Sequence, residues 1–293
     1  MPMEIITDDK DVTSAGFKWR ESSGVVALVC TELERDGFVN AFSTRLGGVS
    51  PFPQDSLNLA GFNDDAAENI YENRRRFLKL FPGVWTLAAC WQTHSASVRV
   101  VKNTEDATPP EASLGENVHC DALTTDAPRI LLGVKTADCV PVLLADRRSG
   151  ACAAVHAGWR GTLSSIVTRT LERMALEFGT EARDVRAGIG PSANACCYEV
   201  GSEVIEGFHE KFPDSASLFT PTREGHALVD LQRANREQLI KANVAAQNIH
   251  TAPLCTMCRT DLFFSYRREK QSAGRVGRLM SVIGKKRGEM VKR

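Results

Sequence analysis

Two apolar runs separated by four turn-forming residues constrain this chain more than any other stretch. They read "VPVLLAD", then "RRSG", then "ACAAVHAG". Short apolar runs bounded by turn residues are expected to be buried strands, and a glycine-ended turn between them is expected to close a hairpin. With Arg148 and Ser149 as a two-residue loop, Arg147 faces Gly150. Counting outward then sets Pro141 opposite His156 and Cys139 opposite Gly158. Side chains alternate with a period of two, so Cys139 and His156 become diagonal neighbours on one face, roughly 7–8 Å apart at Cα. A thiol and an imidazole are therefore expected at the same end of one hairpin, just ahead of Trp159 and Arg160.

A second imidazole, His94 in "WQTHSA", lies between two further strand-like runs. Two imidazoles and a thiolate suit Zn²⁺, and three protein ligands leave one tetrahedral position open, as catalytic zinc sites do. The same donor set holds a single copper ion, so copper is a second candidate. On spacing alone the alternative stays open: a buried thiol used as filler and histidines that are merely hydrogen-bonded.

The rest of the chain limits the function classes. With 293 residues, 43% hydrophobic and 25% charged, one domain spanning 1–293 is expected, since no internal segment reads as a linker between independently folding halves. The polar stretch 103–119 reads as a surface loop. Net charge is zero, so nothing favours nucleic acid or an anionic membrane; the terminal cluster Lys285, Lys286, Arg287, Lys292 and Arg293 reads as a solvated tail. No stretch resembles a secretory signal or the roughly 20 apolar residues of a membrane span. Nine cysteines without a secreted scaffold's density point to reduced thiols and a cytoplasmic setting. Cys255 and Cys258 form a lone CxxC, a weak zinc signal without a second pair.

Strand-like runs alternate with helical ones. "VVALVCT", "GFVNAFST", "WTLAACW", "SVRVV", "ILLGVK" and "VRAGIG" read as strands. "DDAAENIYENRRRFLKLF" reads as a helix opened by Asp64 and Asp65, and "LSSIVTRTLERMALEFG" as a continuous amphipathic helix capped by Gly179. Helices are also expected through "SEVIEGFHEKF" and "QRANREQLIKAN". Hairpins among these elements predict an α+β class: mixed β-sheets flanked by helices, rather than a strict parallel array.

The stretches "FSTRLGGVS", "SLNLA", "QTHSA", "CDALTT", "VKTADCVPVLLAD", "AAVHAGWRGT", "GIGPSANACCYEVG", "LVDLQRANREQL" and "FFSYRRE…GRVGRLMSVI" occur in order from about Ala41 to Ile283. Together they resemble the YfiH/laccase-domain family, the polyphenol oxidoreductase or purine nucleoside phosphorylase family. Where that family often reads GPSIG, this chain reads GPSANA. The resemblance implies a fold like the bacterial toxin cysteine hydrolases and a zinc site on His94, Cys139 and His156. It also implies phosphorolysis of adenosine, guanosine, inosine and methylthioadenosine, with adenosine deamination beside it. Purine nucleosides and phosphate are then the partners, and the chain a monomer or homodimer.

Individual residues fit that chemistry in different degrees. Arg160, Gly161 and the helix start expected after "GWRGT" form a candidate phosphate cradle, with a structural ion pair as the alternative for Arg160. Arg45 is a second candidate anion contact. Asp138 either orients a ligand, acts as a base or caps its own turn. Asn58 either reaches ribose or base or serves its turn. Trp159 either stacks on a purine or fills a wall, and Tyr198 and Glu199 have no assigned place.

Other functions compete. In one, Cys139 is the nucleophile and His156 the base of a cysteine-type hydrolase, in keeping with the link of some bacterial relatives to peptidoglycan-precursor editing. Another is copper-dependent polyphenol oxidation. A built-in multicopper cluster needs far more than the six histidines present, and there is no His-x-His pair. A third is a partner-binding scaffold, a role suggested by the human relative's carrying the domain within a larger protein. The zinc deaminase signature, His-x-Glu with a later Pro-Cys-x-x-Cys, is absent.

Overall fold

The computed structural model describes residues 10–60, 65–107 and 119–286. The chain begins with α1 (Lys10–Ser14), β1 (Phe17–Ser22), β2 (Val25–Cys30), α2 (Thr31–Arg35), β3 (Phe38–Ser43) and β4 (Leu46–Ser50). There follow α3 (Ala67–Leu78), β5 (Thr86–Ala88), β6 (Val98–Val100), β7 (Ala122–Thr125), β8 (Ile130–Thr136), β9 (Val140–Asp146) and β10 (Cys152–Ala157). Next come α4 (Trp159–Leu163), α5 (Ile166–Phe178), β11 (Val185–Ile189), β12 (Glu199–Gly201), α6 (Ser202–Lys211), β13 (Phe219–Pro221) and β14 (His226–Val229). The chain closes with α7 (Leu231–Lys241), β15 (Ile249–Thr251), α8 (Tyr266–Ala273) and β16 (Leu279–Lys285).

Two six-stranded sheets dominate, in the orders β1-β2-β3-β16-β8-β5 and β15-β11-β9-β10-β7-β6; a small third sheet holds β12, β14 and β13. Most pairs are antiparallel, while β5–β8, β6–β7 and β11–β15 are parallel. The sheets are therefore mixed, as the sequence predicts.

The period of two sorts side chains into layers. Leu143, Ala145, Cys152 and Ala154 of the second sheet meet Leu28, Phe42, Leu132 and Val134 of the first in a shared core. The alternate residues Val142, Leu144, Ala153 and Val155 turn the other way, against Ile166, Met174, Phe208 and Leu239 of α5, α6 and α7. On the far side of the first sheet, Val25, Val39, Leu131 and Met280 pack on Phe77 of α3. The order is thus helix, sheet, sheet, helices.

The hairpin register is the expected one: His156 pairs with Pro141 and Ala157 with Val140. Its loop is longer than expected. Four residues, 147–150, form it, with Gly150 N–H donating to the Asp146 carbonyl at 2.9 Å and Gly150 at φ 77°. Lengthening the loop by one residue on each side leaves every partner unchanged.

The expected continuous helix from Leu163 to Gly179 is instead two helices, α4 starting earlier at Trp159 and α5 at Ile166, with Ser165 left-handed at φ 57° between them. The Thr162 carbonyl, which would continue the ladder, accepts instead from Gln238 Nε2 of α7 at 2.8 Å. Gly179 caps α5 in the left-handed conformation, as expected. The "WTLAACW" strand shrinks to β5. Asp65 accepts from Ala66 N–H and Asn69 ahead of α3. Asp64, most of the 103–119 loop, and Arg287, Lys292 and Arg293 fall outside the described residues. Among the described residues, no helix is long and apolar enough to cross a membrane.

Candidate active site

Cys139 sits just before β9 and His156 near the end of β10, both on the face turned toward the first sheet. His94 arrives on the loop between β5 and β6 with a left-handed backbone, φ 59°. Cys139 Sγ lies 3.9 Å from His94 Nε2, and the two imidazole rings are 4.9 Å apart at 72°. One donor atom from each of the three residues lies within 4.8 Å of the others. Gly158 makes this approach possible: a Cβ there would sit 3.0 Å from both Cys139 Sγ and His94 Cδ2.

Asp121, which sequence reasoning missed, organises the group. It is fully buried just before β7. Its Oδ1 accepts from His156 Nδ1 at 2.8 Å and from His94 N–H at 3.0 Å. Its Oδ2 accepts from Ser95 N–H and Oγ, both at 2.7 Å. Burial pushes its pKa up, but the bonds from His156 and Ser95 outweigh that and hold the carboxyl at about 2. An ionised carboxylate only accepts, so His156 Nδ1 carries a proton, and Nε2 is the ring atom that a metal ion would use.

The charges of the three side chains are linked. Burial raises the Cys139 thiol, yet His156 and His94 draw it down to about 6. Burial lowers His156, yet Cys139 and Asp121 lift it to about 9. With no ion present the pair is therefore thiolate and imidazolium. A divalent cation would take over the role of that positive charge, so the donor set fits a borderline-soft metal ion.

These residues form the floor of a cavity of about 600 Å³. Trp91, Trp159, Tyr198 and Tyr266 supply aromatic surface, and Arg160 and Arg267 supply positive charge. The Arg267 guanidinium lies 5.1 Å over the Tyr198 ring and donates to the Glu199 carbonyl at 2.8 Å. Burial pushes the Tyr198 hydroxyl up to about 12, keeping it a neutral donor.

Residues 39–286 match the sequence family described as multi-copper polyphenol oxidoreductase laccase. The chain belongs to that family. A purine nucleoside phosphorylase of Bacteroides thetaiotaomicron is 37% identical over 237 residues, covering 80% of this chain and 87% of that one. A protein named adenosine deaminase RL5, from an unknown prokaryotic organism, is 37% identical over 243 residues, covering 81% and 91%. The crystal structure of YlmD from Geobacillus stearothermophilus matches with a TM-score of 0.84 at 31% identity, covering 93% of this chain and 99% of that one. The polyphenol oxidoreductase family resemblance and the mixed-sheet fold read from the sequence thus both hold.

In this laccase-family chain the remaining expected site residues separate into two groups. Arg160 lines the cavity, more than half exposed, 4.0 Å over the Trp159 ring and 3.5 Å from Glu203. Gly161 is buried one turn into α4, where a Cβ would meet the Ser95 carbonyl at 3.3 Å; its role is close packing under the His94 loop. Asp138 lines the cavity at φ 86°, but its carboxylate is engaged by Thr256 Oγ1 at 2.7 Å, Ser265 Oγ at 3.0 Å and Arg267 N–H at 2.7 Å. That arrangement holds the Cys139 turn in place.

Arg45 and Asn58 are corrections, because neither lines the cavity. Arg45 is buried, donating to the Thr260 carbonyl at 2.6 Å and Glu269 at 2.8 Å, and stacks 4.5 Å from the Phe264 ring. Asn58 Oδ1 accepts from Ala60 and Arg278 N–H groups. Both polar groups hold loops together, away from the cavity. Asp121 lies behind the cavity wall; among the residues that line the cavity, those that sequence reasoning left unassigned include Gln92, Tyr266, Arg267 and Arg278. The only sequence signal for the last three is their place in the "FFSYRRE…GRVGR" stretch.

Proposed function

We propose that this chain is a zinc-dependent purine nucleoside phosphorylase acting on adenosine, guanosine, inosine and methylthioadenosine, with adenosine deamination as a second activity. The observation that carries the reading is the convergence of His94, Cys139 and His156 on the floor of a nucleoside-sized cavity. The names of the relatives, phosphorylases and a deaminase, support the same substrate class.

Zn²⁺ bound by these three residues supplies Lewis acidity and a water of lowered pKa. The chain's own groups do the rest. Asp121 fixes the His156 tautomer and, through the His94 and Ser95 N–H groups, the loop that carries His94. Trp159 and Tyr198 offer flat walls to a purine. Breaking an N-glycosidic bond builds positive charge on the sugar and negative charge on the base, and phosphorolysis also needs a dianion beside the anomeric carbon. Arg160 lines the cavity and supplies the positive charge that such a dianion requires. The exposed Arg160–Glu203 pair is weak enough for phosphate to displace.

Adenine release from adenosine should therefore rise with phosphate concentration and saturate. Arg160→Ala should raise the phosphate KM several-fold with a smaller effect on the nucleoside KM, while deamination to inosine changes less. Free ribose released at an equal rate in phosphate-free buffer would contradict phosphorolysis.

The thiolate–imidazolium pair beside Asp121 also supports a second reading, a cysteine-type hydrolase of peptidoglycan precursors. Iodoacetamide separates the two readings. A nucleophilic Cys139 is alkylated in the protein as isolated, whereas a metal ligand is protected until a chelator is added.

A further inference from the structure

Outside the cavity, four more thiols converge. Cys196 and Cys197 lie on the loop before β12, and Cys255 and Cys258 on the loop after β15. Cys258 Sγ is 3.0 Å from Cys197 Sγ and 3.6 Å from Cys196 Sγ, and all four sulfurs lie within 4.8 Å of one another. We propose that these cysteines form a second, structural metal site, a Cys₄ zinc clip that fixes the rim of the candidate active site.

The geometry is that of one shared centre. Zn–S bonds of about 2.3 Å in a tetrahedron set sulfurs about 3.8 Å apart, within the observed spread. A disulfide would join one pair and leave two thiols crowded beside it, and it gives no reason for four to gather. A four-iron cluster holds its cysteine sulfurs farther apart than these lie. Cys255-Thr-Met-Cys258 has the C-x₂-C spacing of zinc knuckles, with the Arg259 N–H donating back to the Cys255 carbonyl at 3.0 Å. The sequence offers no second CxxC because the partner pair is vicinal. Four protein ligands close the coordination sphere, so the site is structural rather than catalytic. Cys196 and Cys258 are exposed and give the ion a way in. Each ligating thiol gives its proton to solvent, with no change of oxidation state.

The clip has a physical purpose. Cys197 precedes Tyr198, a wall of the cavity. Cys255 precedes Thr256, whose hydroxyl holds Asp138 beside Cys139. The backbones of the two loops already meet, with Thr256 N–H donating to the Ser192 carbonyl at 2.9 Å. An ion between them locks the two loops in one relative position.

The test is zinc content per chain, by elemental analysis, on full-length protein purified with reductant and no chelator. Wild type should carry one zinc more than Cys258→Ser or Cys196→Ser, whatever the His94–Cys139–His156 site holds. Cobalt-loaded Cys139→Ala should keep a strong thiolate-to-cobalt charge-transfer band, a readout that stands even if the Cys258 variant fails to fold. In wild type, Cys196 and Cys258 should resist thiol reagents until chelator is added. Equal zinc in wild type and Cys258→Ser, immediate reaction of the exposed thiols, or a mass lower by two hydrogens from a Cys197–Cys258 disulfide would each overturn the proposal.

Discussion

The Asp121 carboxylate accepts from His156 Nδ1, from the His94 N–H and twice from Ser95, so one buried charge sets the positions of two of the three candidate ligands. Asp121→Asn should keep the fold but weaken zinc affinity about 10–100-fold, as loss of such a supporting partner does; a competitive chelator titration measures it. Arg45 and Arg160 give opposite expectations. Arg45→Ala removes the cationic half of a largely buried ion pair with Glu269 and should cost about 3 kcal/mol of stability, read as a lowered denaturant midpoint, with the phosphate dependence of metal-loaded protein unchanged. Arg160→Ala should do the reverse. The sequence made His94, Cys139 and His156 legible because donor type and hairpin spacing both mark them. It hid Asp121, whose partners lie 26–35 residues away and whose own neighbours carry no spacing signal. It misled at Arg45, because a basic residue beside glycines looks exposed until the fold buries it under Phe264.

The hairpin of β9 and β10 is the element that delivers the site, and its turn is held by Asp146. The carboxylate accepts from Arg148 N–H at 2.8 Å, Ser149 N–H at 3.1 Å and Ser149 Oγ at 2.6 Å. Burial raises the Asp146 pKa, but these bonds outweigh it and hold the carboxyl below its usual value. A depressed carboxyl stabilises the fold above its unfolded pKa of about 3.9, and that contribution is lost as pH falls through the folded value. Asp146→Asn should therefore flatten the acid limb of stability, seen as a smaller drop in denaturation midpoint between about pH 5 and pH 3. A drop as steep as that of wild type would assign the acid sensitivity elsewhere. The register was legible because apolar alternation and the turn fix it together. The break between α4 and α5 was not, since it depends on Gln238 of α7 taking a carbonyl 76 residues away. Gly158→Ala, which places a methyl 3.0 Å from Cys139 Sγ and His94 Cδ2, should lower zinc occupancy while the circular dichroism spectrum stays unchanged.

For the whole molecule, strand identity was readable but strand order was not. Local runs show which residues are strands; it takes long-range packing to insert β16 between β3 and β8. That order matters for function, because it brings the β8–β9 turn, the β5–β6 loop and the "FFSYRRE" stretch to one end of the space between the sheets. The site is assembled from parts of the chain as far apart as His94 and Arg278. The central claim is that the metal-type triad at this end is the centre of phosphorolysis. The most direct measurement is phosphorus NMR of adenosine and phosphate incubated with chelator-stripped protein, followed by stepwise return of Zn²⁺. Ribose 1-phosphate should be absent at first and then appear in step with adenine as zinc is restored, and it should not appear with Cys139→Ala at any zinc level. Ribose 1-phosphate formed at the full rate by stripped protein, or by zinc-treated Cys139→Ala, would contradict the account.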